Sequence, residues 1–195
     1  MAGFNRHLKS FIAACAAALF LGLPGPGRAD DSLAGQVDPQ VEGLVESLAT
    51  ADAAEAEQIV RELDLIWSRS GSPSMDLLLR RGRDALARGE FDEAVGHLSA
   101  LIDHAPDFAE AWATRAMVFF QMDEPGLAQA DLMQALALNP VNFEAAYGLA
   151  VIMEETGRPE AAFAGYEAVL SLYPTHEGAI EGRDRLAQQV AGSDI

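Results

Sequence analysis

The sequence predicts an all-α chain of stacked helical hairpins, on three observations. Pro106, Pro140 and Pro174 recur 34 residues apart, a period that belongs to arrays of one repeated supersecondary unit. Small residues keep the same step: Ala94, Ala128 and Ala162 precede each proline by twelve residues, and Gly82, Ala116 and Ala150 precede those by twelve more. Small side chains at fixed points of each unit let two helix backbones approach closely, and a large residue there would hold them apart. Gly89, Pro125 and Pro159 then fall where paired helices would turn.

Taken in order, residues 1–29 read as an export signal. Arg6 and Lys9 give a positive start, Phe11 to Leu23 is an apolar run closed by Pro24, and Gly27-Arg28-Ala29 offers small residues for cleavage after Ala29. That run is shorter than the roughly 20 residues a membrane-spanning helix needs. The alternative is a lipid anchor on Cys15 in Ile12-Ala13-Ala14-Cys15, although the apolar run continues past that cysteine. The expected location is therefore periplasmic, with no stable membrane insertion after cleavage. Residues 30–38, with Gly35 and several polar side chains, read as a flexible leader.

Residues 39–74 predict an N-terminal helical hairpin. Val41, Leu44, Val45 and Leu48 share one helical face, and Ile59, Val60, Leu63, Ile66 and Trp67 another, the second helix being started by Asp52 with Glu55 three residues on. Gly71 and Pro73 end it. It lacks the small-residue landmarks, so it is expected to act as a degenerate repeat or cap over the apolar edge of the first unit.

Three units follow, at 75–108, 109–142 and 143–176. Their paired helices are expected at about 75–88 and 92–104, 109–122 and 126–138, and 143–156 and 160–172, with Ser72 and Pro73 starting the first. Residues 177–195 form a capping helix and tail, polar enough in Glu181, Arg183, Asp184, Arg185, Gln188 and Gln189 to face water on one side. One such hairpin cannot bury both its apolar faces, so neighbours supply the missing surface, and about three repeats are the usual minimum.

Charge and cysteine content exclude several function classes. The chain carries −17, and loss of the three leader cations Arg6, Lys9 and Arg28 takes a chain cleaved after Ala29 to −20. Such a surface repels phosphate backbones and anionic lipid, so nucleic acid is not an expected partner. Cys15 is the only cysteine, which removes disulfides and thiolate chemistry from the exported chain. His97 and His104 share a helix without an acidic or cysteine partner at metal-ligand spacing, and no HExxH, Gly-x-Ser-x-Gly, P-loop or dinucleotide glycine pattern occurs. Adjacent acids such as Asp92-Glu93 and Glu154-Glu155 point different ways on a helix and cannot pair as acid and base. No enzyme activity, metal or cofactor is expected.

Phe108-Ala-Glu-Ala-Trp112-Ala-Thr-Arg-Ala116 and Asn142-Phe-Glu-Ala-Ala-Tyr147-Gly-Leu-Ala150 resemble first helices of tetratricopeptide repeats. Ala128 to Pro140 and Ala162 to Pro174 resemble second helices with their closing proline. Leu78 and Ala146 replace the early tryptophan held by Trp112, and Arg81 and Arg115 stand where an apolar residue is usual. As a whole the chain resembles small exported members of this family from Gram-negative bacteria. The resemblance implies a right-handed α-α superhelix whose first helices line a concave face. It places Leu79, Arg80, Arg83, Thr114, Met117, Phe120, Gln121, Tyr147, Val151 and Glu155 in a groove with an apolar floor and an arginine-rich end.

Such a groove takes a peptide segment or protein partner, with the arginines pairing partner carboxylates. The lysine, asparagine and arginine clamp of related carboxylate-binding repeats is not present, since the third unit offers Glu144 and Gly148 instead. Arg80, Arg81, Arg83 and Arg88 are expected to pair instead with Glu110, Asp76 or Asp84. The function implied is a non-enzymatic adaptor or scaffold in the bacterial envelope, with a monomer favoured and the oligomeric state left open. The alternative is a fixed subunit of a secretion, cell-wall or cytochrome-maturation assembly.

Overall fold

The computed structural model describes residues 38–193, and the expected signal and most of the expected leader lie outside them. Among the described residues there are helices and no strands: α1 (Pro39–Leu48), α2 (Ala53–Trp67), α3 (Pro73–Ala87), α4 (Phe91–His104), α5 (Ala109–Gln121), α6 (Pro125–Leu138), α7 (Phe143–Glu155), α8 (Pro159–Leu172) and α9 (Glu177–Ser193). No described helix is long and apolar enough to cross a membrane.

Helix starts follow local chemistry. Asp38, the last residue of the expected leader, caps α1 by accepting from the Gln40 amide at 2.8 Å. Asp52 accepts from the Ala54 and Glu55 amides, both at 3.0 Å, and Asn142 from Ala145 at 2.9 Å. Pro125 and Pro159 are the first residues of α6 and α8, rather than turn residues, because a proline at that position loses no helix bond. Gly89 and Gly157 turn the outer repeats with φ of 74° and 73°. In the middle repeat the same point is held by Asp123 at φ 60°, a left-handed backbone that glycine adopts more easily.

The landmark alanines sit where the helices meet: Ala94, Ala128 and Ala162 are fully buried, with Ala116 and Ala150 almost so. At Gly82 an added Cβ would lie 2.6 Å from Leu98 Cγ, so a side chain there would have to displace the buried Leu98. Helices α3 with α4, α5 with α6, and α7 with α8 pair, and each hairpin stacks on the next until α9 closes the end against α8. Leu79, Ala85, Ala94, Leu98, Leu101, Ile102, Ala111 and Val118 form the core of the first repeat and its junction with the second.

The N-terminal hairpin is placed differently from expectation. Val41, Val45, Leu48, Ala56, Ile59 and Leu63 belong to one continuous core with Val141, Phe143, Tyr166 and Leu172 of the later repeats, while the first repeat's core contains none of them. Helix α1 touches α8, and the Trp67 ring lies 5.5 Å from that of Phe143. The reason is supply of apolar surface: Phe143 and Tyr173 present aromatic faces at the inter-repeat loops, whereas Arg80, Arg81 and Asp84 leave α3 polar on its free side. The hairpin therefore straps the array across its repeats instead of capping its first edge.

Candidate functional site: the concave face and its closed half

The first helix α3 lies beside α5, and the hairpin covers the early turns of α5 and α7 and reaches the second half of α3 at Arg83. Ser68, just after α2, accepts from Arg83 Nη1 at 2.9 Å, and Arg83 also holds Glu110 on α5. Asp64 stands close enough to Glu110 and Glu144 for the charges to repel. Burial pushes the Glu110 carboxyl up, and the Arg83 guanidinium partly opposes this. Burial likewise raises Asp64, again opposed by Arg83. A cleft of about 250 Å³ remains at the seam, between Val41, Ile66 and Trp67 on one side and Phe108, Leu138 and Pro140 on the other.

The residues expected in the groove separate into four groups. Leu79 (1 % exposed) and Thr114 (2 %) are placed differently from expectation: both are buried, Leu79 in the first repeat's core and Thr114 beside Glu110, rather than on an open face. A helix turns about 100° per residue, and one step of rotation moves a side chain from the face into the packing. Arg83 is committed to Glu110 and Ser68, which leaves the expected arginine-rich end with Arg80, exposed and one turn from Asp76, which its charge reaches. Tyr147 is half-buried, its ring 4.6 Å from His176 and 5.9 Å from Tyr166. Met117, Phe120, Gln121 and Glu155 are exposed, with Val151 partly so.

Two networks whose partners the sequence did not pair fix this scaffold. Arg115 lies over the Trp112 and Phe119 rings at 5.1 and 5.6 Å, and gives Asp131 a two-pronged grip at 2.7 and 2.9 Å while its third nitrogen donates to Ser99 at 3.1 Å. It thus ties α4, α5 and α6 together, which explains an arginine at a normally apolar position. The clue in the sequence was Asp131 itself, an acid on the same face as Ala128, Leu132 and Ala135. At the other end Glu154 accepts from Tyr166 at 2.6 Å and from Arg185 at 2.6 and 2.8 Å, locking α9 to the third repeat. Those Arg185 bonds hold the Glu154 carboxyl below its usual range, and burial with the Glu154 bond raises the Tyr166 hydroxyl.

A family model described as tetratricopeptide repeat matches residues 79–122 and 113–177. The chain belongs to the tetratricopeptide-repeat family. It is 30 % identical over 142 residues to a TPR repeat-containing protein of Rhizobium etli, covering 73 % of this chain and 70 % of that one. Among solved structures it is similar to the first TPR of Spaghetti (RPAP3) bound to the HSP90 peptide SRMEEVD, with TM-score 0.58, 25 % identity, 60 % of this chain and 93 % of that one. The Arabidopsis OM64 TPR domain shares the fold at TM-score 0.57 and 22 % identity over 59 % of this chain and 95 % of that one. A mutant form of MamA shares it at TM-score 0.53 and 18 % identity over 77 % of this chain and 85 % of that one. The fold is an all-α tetratricopeptide-repeat superhelix, generally an interaction fold without catalysis.

Proposed function

We propose that this chain is a non-enzymatic adaptor of the bacterial envelope, exported by residues 1–29, that holds a peptide segment or protein partner on its concave face. One observation carries the reading. Met117 and Phe120 stand out of the stack on a first helix, 58 % and 36 % exposed, on a helix whose Ala111, Ala113, Ala116 and Val118 are buried. Large flexible and aromatic side chains left in water on a rigid face are the usual anchors of a partner. The peptide held by the RPAP3 repeat supports a ligand of that kind on this fold.

The test is affinity capture from the native periplasm with the intact chain and with Phe120→Glu. A partner should come down with the former and be lost with the latter, at unchanged helical circular dichroism; equal capture by both would end the proposal. Mass spectrometry of the recovered N-terminus checks export, which predicts a chain starting at Asp30 and excludes one acylated at Cys15. A fixed place in a larger envelope assembly is favoured by Leu65 on α2 and Leu77 on α3, exposed apolar side chains outside the expected groove. A complex that survives gel filtration at nanomolar dilution and needs Leu65 would select that second reading.

A further inference from the structure

The concave face is open in only one half, and that half has a charge of its own. The hairpin closes the early turns of α5 and α7 through Asp64 and Trp67, and on α3 it reaches Arg83, in that helix's second half, through Ser68. Past it, Met117 and Phe120 lie one turn apart on α5, and Val151 holds the equivalent place of Met117 on α7, 34 residues on. Carboxylates border this strip: Asp123 and Glu124 in the turn that follows α5, and Glu155 at the end of α7, all exposed and none in an ion pair among the described residues.

Three cations of the array are ion-paired, whereas Arg80 and Arg81, earlier on α3, are exposed and in no ion pair among the described residues. Arg83 is neutralised by Glu110, Arg88 by Glu90 and Arg185 by Glu154. Arg158, in the turn between α7 and α8, donates to Gln129 at 2.6 Å and to Thr156 at 3.0 and 3.1 Å. Three carboxylates thus lie at the ends of α5 and α7 beside an apolar strip, against the single charge that Arg158 keeps because its partners are neutral, in a chain of net charge −17.

We propose that this open half docks a short basic segment of another protein, whose apolar side chains lie on Met117 and Phe120 and whose lysine or arginine side chains reach Asp123, Glu124 and Glu155. The inference rests on the concave-face proposal above and adds the sign of the partner's charge, opposite to that of a partner whose carboxylates would pair the arginines. An apolar pair supplies contact area, and the surrounding carboxylates select against acidic segments and speed encounter with basic ones.

The experiment is fluorescence anisotropy on the full chain with two designed peptides of identical leucines, one with arginine and the other with glutamate at the intervening positions. The arginine peptide should bind at least about tenfold more tightly, a difference of ~1.4 kcal/mol. Its affinity should fall with salt. Met117→Ser with Phe120→Ser should weaken it at least about tenfold. Glu124→Gln with Glu155→Gln should weaken it several-fold, whereas Glu167→Gln with Glu181→Gln, the same charge change on α8 and α9, should not. Tighter binding of the glutamate peptide would overturn the inference and leave the concave-face proposal standing. Arginine-peptide binding indifferent to Met117 and Phe120 would show attraction to the acidic surface at large and also overturn it. If neither peptide binds, the inference fails, and the Phe120→Glu capture decides separately whether the broader proposal falls with it.

Discussion

Replacing Asp131 by alanine tests the packing logic most directly. Asp131 is 5 % exposed and its partner Arg115 is clamped between two ring faces, so the substitution leaves a guanidinium in the stack with only Ser99 to accept from it. Removing one partner of a buried pair costs about 3–5 kcal/mol, because the surviving charge remains desolvated. Against a total stability of about 5–15 kcal/mol that is a large fraction. At about 2–4 °C per kcal/mol for a chain of this size, the melting temperature should fall by roughly 10 °C. The double change Arg115→Met with Asp131→Leu removes both charges and should recover most of the loss, since apolar replacements of a buried pair are often neutral. Urea unfolding followed by circular dichroism gives midpoint and slope for the wild type, both singles and the double. A loss below about 1 kcal/mol for Asp131→Ala, or simple additivity of the two singles, would refute a buried, coupled pair.

Three further outcomes are expected. Gly182→Ala places a Cβ 2.5 Å from the buried Tyr166 ring, and should cost about 1–3 kcal/mol by overpacking; an unchanged urea midpoint would show that α9 sits further from α8 than described. Asp123→Gly relieves a left-handed residue and should raise stability by about 0.5–1 kcal/mol, a gain that differential scanning calorimetry would register and that a destabilised variant would contradict. His176 caps α9 through Nδ1 to the Ala179 amide at 3.1 Å, and burial holds its pKa below the ordinary value of 6.5. The unfolded chain then binds the proton more readily, so this group's stability is complete above about pH 6.5 and is lost as pH falls toward its folded pKa. Glu144, 3.8 Å away, is shifted upward and acts in the opposite direction, losing stabilisation as pH rises above its ordinary range. His176→Gln should therefore flatten the decline in stability between about pH 6.5 and 5, measured by urea midpoints, and a slope equal to wild type would rule the role out.

Legibility followed the range of the interaction. The repeats were readable because each landmark acts within one hairpin: Ala128 and Ala116 are both buried in the α5–α6 pair, and their spacing repeats because the pair repeats. The groove was only partly readable. Phe120 and Leu79 hold concave positions in the family pattern, yet Leu79 packs into the core of its repeat while Phe120 projects. Arg115 was visible as an oddity, but its partner lies sixteen residues away on the next helix, a pairing that only the approach of α5 to α6 supplies.

The amino-acid order alone determined the helical hairpins, their number between 75 and 176 and the small residues at their contacts, since period and side-chain size are properties of the chain itself. The tertiary structure decided where the N-terminal hairpin rests, and with it which half of the concave face stays open and which arginines stay free. Those outcomes depend on which apolar surfaces compete for α1 and α2 in space, and Phe143 and Tyr173, distant in sequence, offered more than the polar flank of α3.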